Sequence, residues 1–339
     1  MLYTKCLLLY SGLIFFKSTT VFGIIDPITG AFALGSFALG YFLTKTNYSF
    51  LNINNCPTEN IQFYELQRDI EENFFGQHIA SKIILSALKG NFIRSTHNKK
   101  PLVMSFHGWT GCGKNFITEL IANHFFTNEK MKKLRYHVIN RQSQFISSSK
   151  LNYNSEELYN HIKLVIKSCK TNIFVFDELQ YIPIGLLDIL IPILENHDLS
   201  IDSRNSIFIF LTNAGGEAIV EKYLELWDKG YSREQMKVFD FDSILQQSAF
   251  NEIGGLKKSQ LIDSHIIDHY IPFLPLEKSH VMQCIDAELR NLNQKLDSKT
   301  KNEILQIIPF GPDPQKLFST SGCKRIKALV TTESSTNLD

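Results

Sequence analysis

The sequence has no excess of either charge. Its 35 Lys and Arg face 34 Asp and Glu, a formal net charge of +1 over 339 residues. That balance argues against a polybasic nucleic-acid binder and against an acidic solvating tail. Glycine (18) and proline (10) are too scarce for a collagen-like or low-complexity chain. No repeat period appears. Six cysteines are too few for a miniature scaffold built on disulfides, though enough for two or three bridges. What is present is 44% hydrophobic and holds 26 Phe, which suits a globular chain with a full, aromatic-rich core. The length allows one large domain and a small one.

Charge is also missing from two stretches near the start. Lys5 closes a short positive region, and Cys6 to Phe16 is an uncharged run of 11 residues. That is the length of a signal-peptide core and too short to span a bilayer. Val21 and Gly23 are small enough for the cleavage positions, so residues 1–23 are read as a secretory signal. Pro27 to Thr44 adds 18 uncharged residues, about 27 Å as a helix and just short of a hydrocarbon core. Spanning, a hairpin, or lying in one leaflet all stay open, and membrane association without a secure span is favoured. A signal would deliver the chain to an oxidising compartment. Asn47-Tyr48-Ser49 is a glycosylation sequon. The C-terminus is not a KDEL-type retrieval signal.

After about Asn55 the composition turns globular. Gln62 to Asn73 and His78 to Leu88 read as helices separated by Phe74-Phe75-Gly76-Gln77. Leu102 to His107, Tyr136 to Asn140, Ile173 to Phe176 and Ile207 to Thr212 are apolar along their length, as strands buried on both faces are. A helix starting near Asn154, with Leu158, Ile162, Val165, Ile166 and Cys169 inward, lies between the second and third. Strands alternating with helices predict an α/β fold with a parallel, doubly wound sheet. From about Leu276 the pattern is helical, which predicts a small second domain.

Gly108-Trp109-Thr110-Gly111-Cys112-Gly113-Lys114-Asn115 follows the first strand and precedes a helix expected over Phe116 to Phe125. That context marks a phosphate loop. Its glycines let backbone N–H groups curl around phosphate oxygens, the helix N-terminus adds its positive end, and Lys114 reaches the β- and γ-phosphates. Asn115 stands where Ser or Thr normally ligates Mg²⁺; an amide oxygen can coordinate the metal or hold its water. Asp177-Glu178 ends the third strand. Asp177 is assigned to the metal and Glu178 to the general base that polarises the attacking water. Asn213, after the fourth strand, is placed to orient that water.

Together these residues resemble the torsin family of AAA+ ATPases. The phosphate loop with its Asn115 looks like the torsin Walker A motif, and Phe176-Asp177-Glu178 is similar to the Walker B. Phe208 to Gly215 resembles sensor 1, Tyr270 to Glu277 the join to the small domain, and Ser321-Gly322-Cys323-Lys324 sensor 2. The resemblance implies an AAA+ P-loop domain over 56–275 and a small α-helical domain with its tail over 276–339. A signal at 1–23 and a membrane-associating segment with linker at 24–55 would precede them. It implies ATP and Mg²⁺ as cofactors, Gly108 to Asn115 with Asp177 as the binding set, Asn115 and Asp177 at the metal, and Glu178, Asn213 and Lys324 as catalytic. It further implies the lumen of the endoplasmic reticulum and nuclear envelope, peripheral membrane contact through Pro27–Thr44, and self-association. The expected partners are luminal domains of type II membrane activators of the lamina-associated polypeptide class, which donate an arginine finger; no nucleic acid is expected.

Clp-type relatives carry their own arginine where this chain has Ile266, shortly before Asp268. Ile cannot neutralise a transferring phosphoryl group, so the protein alone is expected to be nearly inert. Arg233 and Arg290 are the remaining internal candidates. Only Phe145 could serve as a pore aromatic, which leaves polypeptide threading poorly supported. The resemblance also implies a Cys56–Cys169 bridge. Cys284 and Cys323 lie in the predicted small domain; a bridge there would move Lys324 with redox state, or be permanent and merely structural. The alternative to an activator-dependent ATPase is a nucleotide-dependent binding and assembly module that does not turn over. Asn115 and Ile266 favour the module; Glu178 and Asn213 favour the enzyme.

Overall fold

The computed structural model describes residues 56, 61–93, 98–140, 151–251 and 254–336. The signal, Pro27–Thr44, Asn47 and Phe145 lie outside the described residues. Among the described residues no helix is long and apolar enough to cross a membrane.

Five strands form one sheet: β1 (Leu102–His107), β2 (Tyr136–Ile139), β3 (Ile173–Phe176), β4 (Ile207–Thr212) and β5 (His269–Pro272). Their order is β2-β3-β4-β1-β5, and every pairing is parallel. The three central strands are buried along their whole length, while β2 and β5 at the edges are only partly so. This is why the first, third and fourth strands stand out as predominantly apolar runs.

Period-two alternation divides the strand residues between two cores. Met104, Phe106, Val175, Ile209 and Leu211 pack under α1 (Phe63–Asn73), α2 (His78–Ile93) and α3 (Lys114–Phe125). Val103, Phe174, Phe176, Phe208 and Phe210 face the other way, onto Leu158, Ile162 and Ile166 of α5 (Leu151–Ser168). Between α3 and β2 lies α4 (Glu129–Arg135). Phe174 and Phe208 are register partners with ring centroids 4.9 Å apart, and Phe176 and Phe210 repeat the contact at 5.2 Å. Such cross-strand aromatic pairs each contribute roughly 0.5–1.5 kcal/mol beyond their buried area, and they pin the register of β3 against β4.

After β4, α6 (Gly216–Asp228) and α7 (Asp242–Asn251) lead towards β5. A further core joins α8 (Lys278–Asn291), α9 (Ser298–Ile307) and α10 (Ile326–Thr336) through Val281, Ile285, Leu289, Ile304, Ile326 and Val330. Their spacing is that of helices with one apolar face. This part is not purely helical. Phe310–Gly311 and Phe318–Ser319 pair as a short antiparallel ladder, β6 and β7. Among the described residues two cystines are present: Cys56–Cys169 joins residue 56 to the end of α5, and Cys284–Cys323 joins α8 to the turn before α10.

Candidate nucleotide site

Parallel strands with crossover helices gather their C-terminal ends on one side, and loops there form the crevice of an open α/β sheet. The predicted loop residues sit there. Gly108, Gly111 and Gly113 have φ of 152°, 77° and 101°, values that side-chain-bearing residues rarely adopt. Gly113 caps α3, so Lys114 and Asn115 open the helix and the helix N-terminus faces the crevice. The helix thus begins two residues before the expected Phe116.

Lys114 is buried, and its ammonium bonds its own loop. Nζ donates to Gly108 O at 2.5 Å, to Trp109 O at 2.9 Å and to Asn213 Oδ1 at 3.0 Å. The phosphate loop and the segment after β4 therefore meet at one cation, through residues 99 positions apart. Asn115 Nδ2 donates to Asp177 Oδ2 at 2.7 Å, and the Glu178 N–H donates to Asp177 Oδ1 at 2.8 Å. Glu178 has φ 56°, a left-handed conformation for a residue with a side chain; strain of this kind costs about 1–3 kcal/mol and clusters at functional sites.

His107 lies beneath the loop. Its Nδ1–H donates to Ala214 O at 3.1 Å, and its Nε2 accepts from the Ser105 hydroxyl at 2.7 Å. Burial, with the nearby Lys114 charge, lowers its pKa to about 4. A neutral ring thus ties β1 to the segment after β4 without adding a second cation beside Lys114.

The turn 321–324 meets the loop directly. The Cys323 N–H donates to Gly111 O at 3.2 Å. A Cβ on Gly111 would lie 1.9 Å from Ser321 O, and one on Gly322 would lie 2.1 Å from Gly111 O. Both glycines are required by this approach.

Thr110 to Asn115, Asp177, Glu178, Asn213 and Lys324 line one cavity of about 620 Å³. Phe74, Phe75, Leu276, Ala287 and Ile326 add an apolar wall that the sequence reading missed. The aromatic pair before Gly76 was its one signal, and the pair reads equally well as the end of a helix. Gly108 and Trp109 stand outside this lining. They act through their carbonyls on Lys114, while the Trp109 ring packs where a Cβ on Gly216 would come within 2.7 Å. Cys112 is buried, its thiol donates to Trp109 O at 2.8 Å, and burial raises its pKa, which makes it a space-filler rather than a reactive thiol.

The internal arginine candidates are elsewhere. Arg233 is buried on carbonyls of Gly76 and Pro275, so it is structural and not a finger. Arg290 is exposed near the end of α8. No arginine is among the described residues that line the cavity. Ile266 is buried, and its carbonyl accepts from Lys100 Nζ at 2.7 Å.

Asp177 and Asn115 offer a carboxylate and an amide at one edge of the cavity, a hard-oxygen donor set that suits Mg²⁺. Each Asp177 oxygen accepts one hydrogen bond and keeps lone-pair capacity for an ion or its water. The residues present fit the ion.

A parallel sheet in this order, a phosphate loop after β1, an acidic pair after β3 two strands away and a largely helical C-terminal part define the P-loop AAA+ class. The fold agrees with solved chains of S. cerevisiae Hsp104. In its ADP complex the TM-score is 0.58 at 14% identity, covering 84% of this chain and 48% of that one. In the extended casein complex the TM-score is 0.57 at 16% identity, with the same coverage. The chain therefore spans about half the length of the Hsp104 chains. The Torsin family model matches residues 49–176, and the Torsin-1A C-terminal domain model matches residues 276–331. A torsin-like protein of Caenorhabditis elegans is 36% identical over 284 residues, 82% of this chain and 79% of the relative. One of Drosophila melanogaster is 35% identical over 318 residues, 90% of this chain and 92% of the relative. The chain belongs to the torsin family.

Proposed function

We propose that the protein binds ATP with Mg²⁺ in this cavity and hydrolyses it when a membrane-anchored partner supplies an arginine. The observation that carries the reading is the meeting of Lys114 and Asn213 beside Asp177-Glu178 in one cavity. Lys114 holds three oxygen acceptors of the protein itself; phosphate oxygens carry full charge and compete well for such an ammonium. The apolar wall of Phe74, Phe75, Leu276 and Ile326 takes the base, and Lys324 approaches from the C-terminal helices. Asp177 and Asn115 would hold Mg²⁺, which neutralises phosphate charge when bound. Glu178 accepts the proton of the attacking water, and Asn213 orients that water once Lys114 has turned to the phosphates.

An external arginine is supported by the identity of Ile266 and by the structural engagement of Arg233. The partner in this reading is the luminal domain of a type II membrane protein of the lamina-associated polypeptide class. The location is the lumen of the endoplasmic reticulum and nuclear envelope, with peripheral contact through Pro27–Thr44. Remodelling of protein complexes or membranes, and self-association, belong to the same proposal. A second reading, a binding and assembly module without turnover, is favoured by Asn115, which stands in place of a hydroxyl ligand and turns its amide nitrogen to Asp177.

ATP turnover of the full chain, alone and with such a luminal domain, separates the two. Stimulation of about 10³-fold or more is expected from a supplied arginine, and Glu178→Gln should abolish it while ATP stays bound. Tight ATP binding with no turnover in either condition favours the module.

A further inference from the structure

The segment Gly76-Gln77, read from sequence as a break between helices, makes more contacts than a break requires. Gln77 is buried, and its amide makes three hydrogen bonds, all to backbone. Nε2 donates to Cys112 O at 3.1 Å and Leu274 O at 2.8 Å, and Oε1 accepts from the Leu274 N–H at 2.9 Å. One side chain thus joins the phosphate loop to the segment that leads from β5 into the C-terminal helices. Its neighbour Gly76 presents its carbonyl to Arg233, which donates Nε at 2.9 Å and Nη2 at 2.6 Å. The same guanidinium donates Nη1 to Pro275 O at 2.9 Å and approaches Glu277 Oε1 at 3.3 Å. It lies 5.4 Å over the Tyr223 ring, and the Tyr223 hydroxyl donates to Glu277 Oε1 at 2.6 Å.

Glu277 is also the N-cap of α8, where the His280 ring accepts its backbone N–H. That helix carries Cys284, bridged to Cys323, whose N–H reaches Gly111 O. The contacts therefore close a circuit. They leave the phosphate loop at Cys112, pass through Gln77, the 274–277 segment, Arg233 and α8, and return to the loop at Gly111. The helix is gripped at its first turn and at its middle, and both grips end on adjacent residues of one loop.

We propose that Gln77 and Arg233 are positioning residues that transmit nucleotide occupancy of the loop to α8, and so to the C-terminal helices. The inference rests on the nucleotide reading of the cavity. A bound phosphate chain must draw Lys114 off Gly108 and Trp109, which resets the loop carbonyls. Gln77 is buried with both amide hydrogens committed, one to Cys112 O and one to Leu274 O, so a shift of the Cys112 carbonyl passes to Leu274. Arg233, forked across Gly76 and Pro275, keeps the 76–77 and 274–277 segments moving as one body. Lysine has no such fork.

The test is hydrogen exchange over Lys278–Asn291 in the full chain, with and without saturating ATP and Mg²⁺, beside titration with a fluorescent ATP analogue. In the wild type, ATP should slow exchange in α8 by about fivefold or more. Arg233→Lys should bind the analogue normally yet lose that protection. Gln77→Met keeps the volume but not the hydrogen bonds; it should bind about tenfold more weakly and lose the protection even at saturation. Tyr223→Phe removes only the hydroxyl that donates to Glu277 Oε1, so it keeps the fold even if the other two substitutions disturb it, and it should weaken the protection. Protection equal to wild type in any folded variant overturns the proposal, as does wild-type binding without change in α8. No analogue binding by the wild type would instead overturn the nucleotide reading, and this inference with it.

Discussion

At the scale of single residues, the same substitution should act in opposite directions at two glycines. Gly90 lies inside α2 with nothing within 4 Å of an added Cβ. Alanine there removes unfolded-state entropy and should stabilise by about 0.5–1 kcal/mol. Gly111 has φ 77°, and its added Cβ would meet Ser321 O at 1.9 Å. The left-handed conformation alone costs alanine roughly 1–2 kcal/mol, and the 321–323 turn must also move off the loop. Gly111→Ala is expected to lower the thermal midpoint and weaken ATP binding by about tenfold; Gly90→Ala should raise the midpoint and leave binding alone. Equal effects at the two sites would show that the loop–turn contact does not matter. The glycine spacing of the phosphate loop was readable from sequence because few other motifs place Gly, Gly, Gly and Lys after a buried strand. That Gly322 answers Gly111 was not readable, because the contact joins residues far apart in the chain and only the packed structure brings them face to face.

Among the elements, legibility followed burial. The runs of β1, β3 and β4 matched their observed bounds to the residue, since strands buried on both faces are mostly apolar, and the buried Ser105 and His107 of β1 satisfy each other. Strand β5 carries His269 and Tyr270 and is half-buried at an edge, so no apolar run announced it. Helix α2 continues past Leu88 to Ile93 because Phe92 packs against Phe125 at 5.0 Å, a tertiary gain that outweighs Gly90. The two-residue ladder at Phe310 and Phe318 is too short to produce a pattern. The cystine Cys56–Cys169 closes a sequence separation of 113 residues. A loop of that length restricts the unfolded chain by about 4–5 kcal/mol in the entropy model. Cys56→Ser with Cys169→Ser should therefore lower the midpoint under non-reducing conditions by up to about 8–20 °C, at about 2–4 °C per kcal/mol, with ATP affinity unchanged. An unchanged midpoint would mean that the tie to residue 56 restrains nothing that unfolds.

For the molecule as a whole, the informative quantity is the shift of the midpoint on adding nucleotide, because it reports binding even where turnover needs a partner. A ligand at one hundred times its Kd stabilises by about 2.7 kcal/mol, which corresponds to roughly 5–10 °C for a body of this size. Lys114→Ala should remove that shift. Its own midpoint will also change, because Gly108 O, Trp109 O and Asn213 Oδ1 lose their shared donor. The comparison must therefore be between shifts, not midpoints. Glu178→Gln should keep the full shift, since Glu178 is assigned to the water and not to the phosphates. The pair of outcomes separates holding from hydrolysis without any partner present. A shift that survives Lys114→Ala would place the nucleotide outside the cavity that joins the ends of β1, β3 and β4 to the 321–324 turn, and the case for an AAA+-type cycle in this chain would lose its geometric basis.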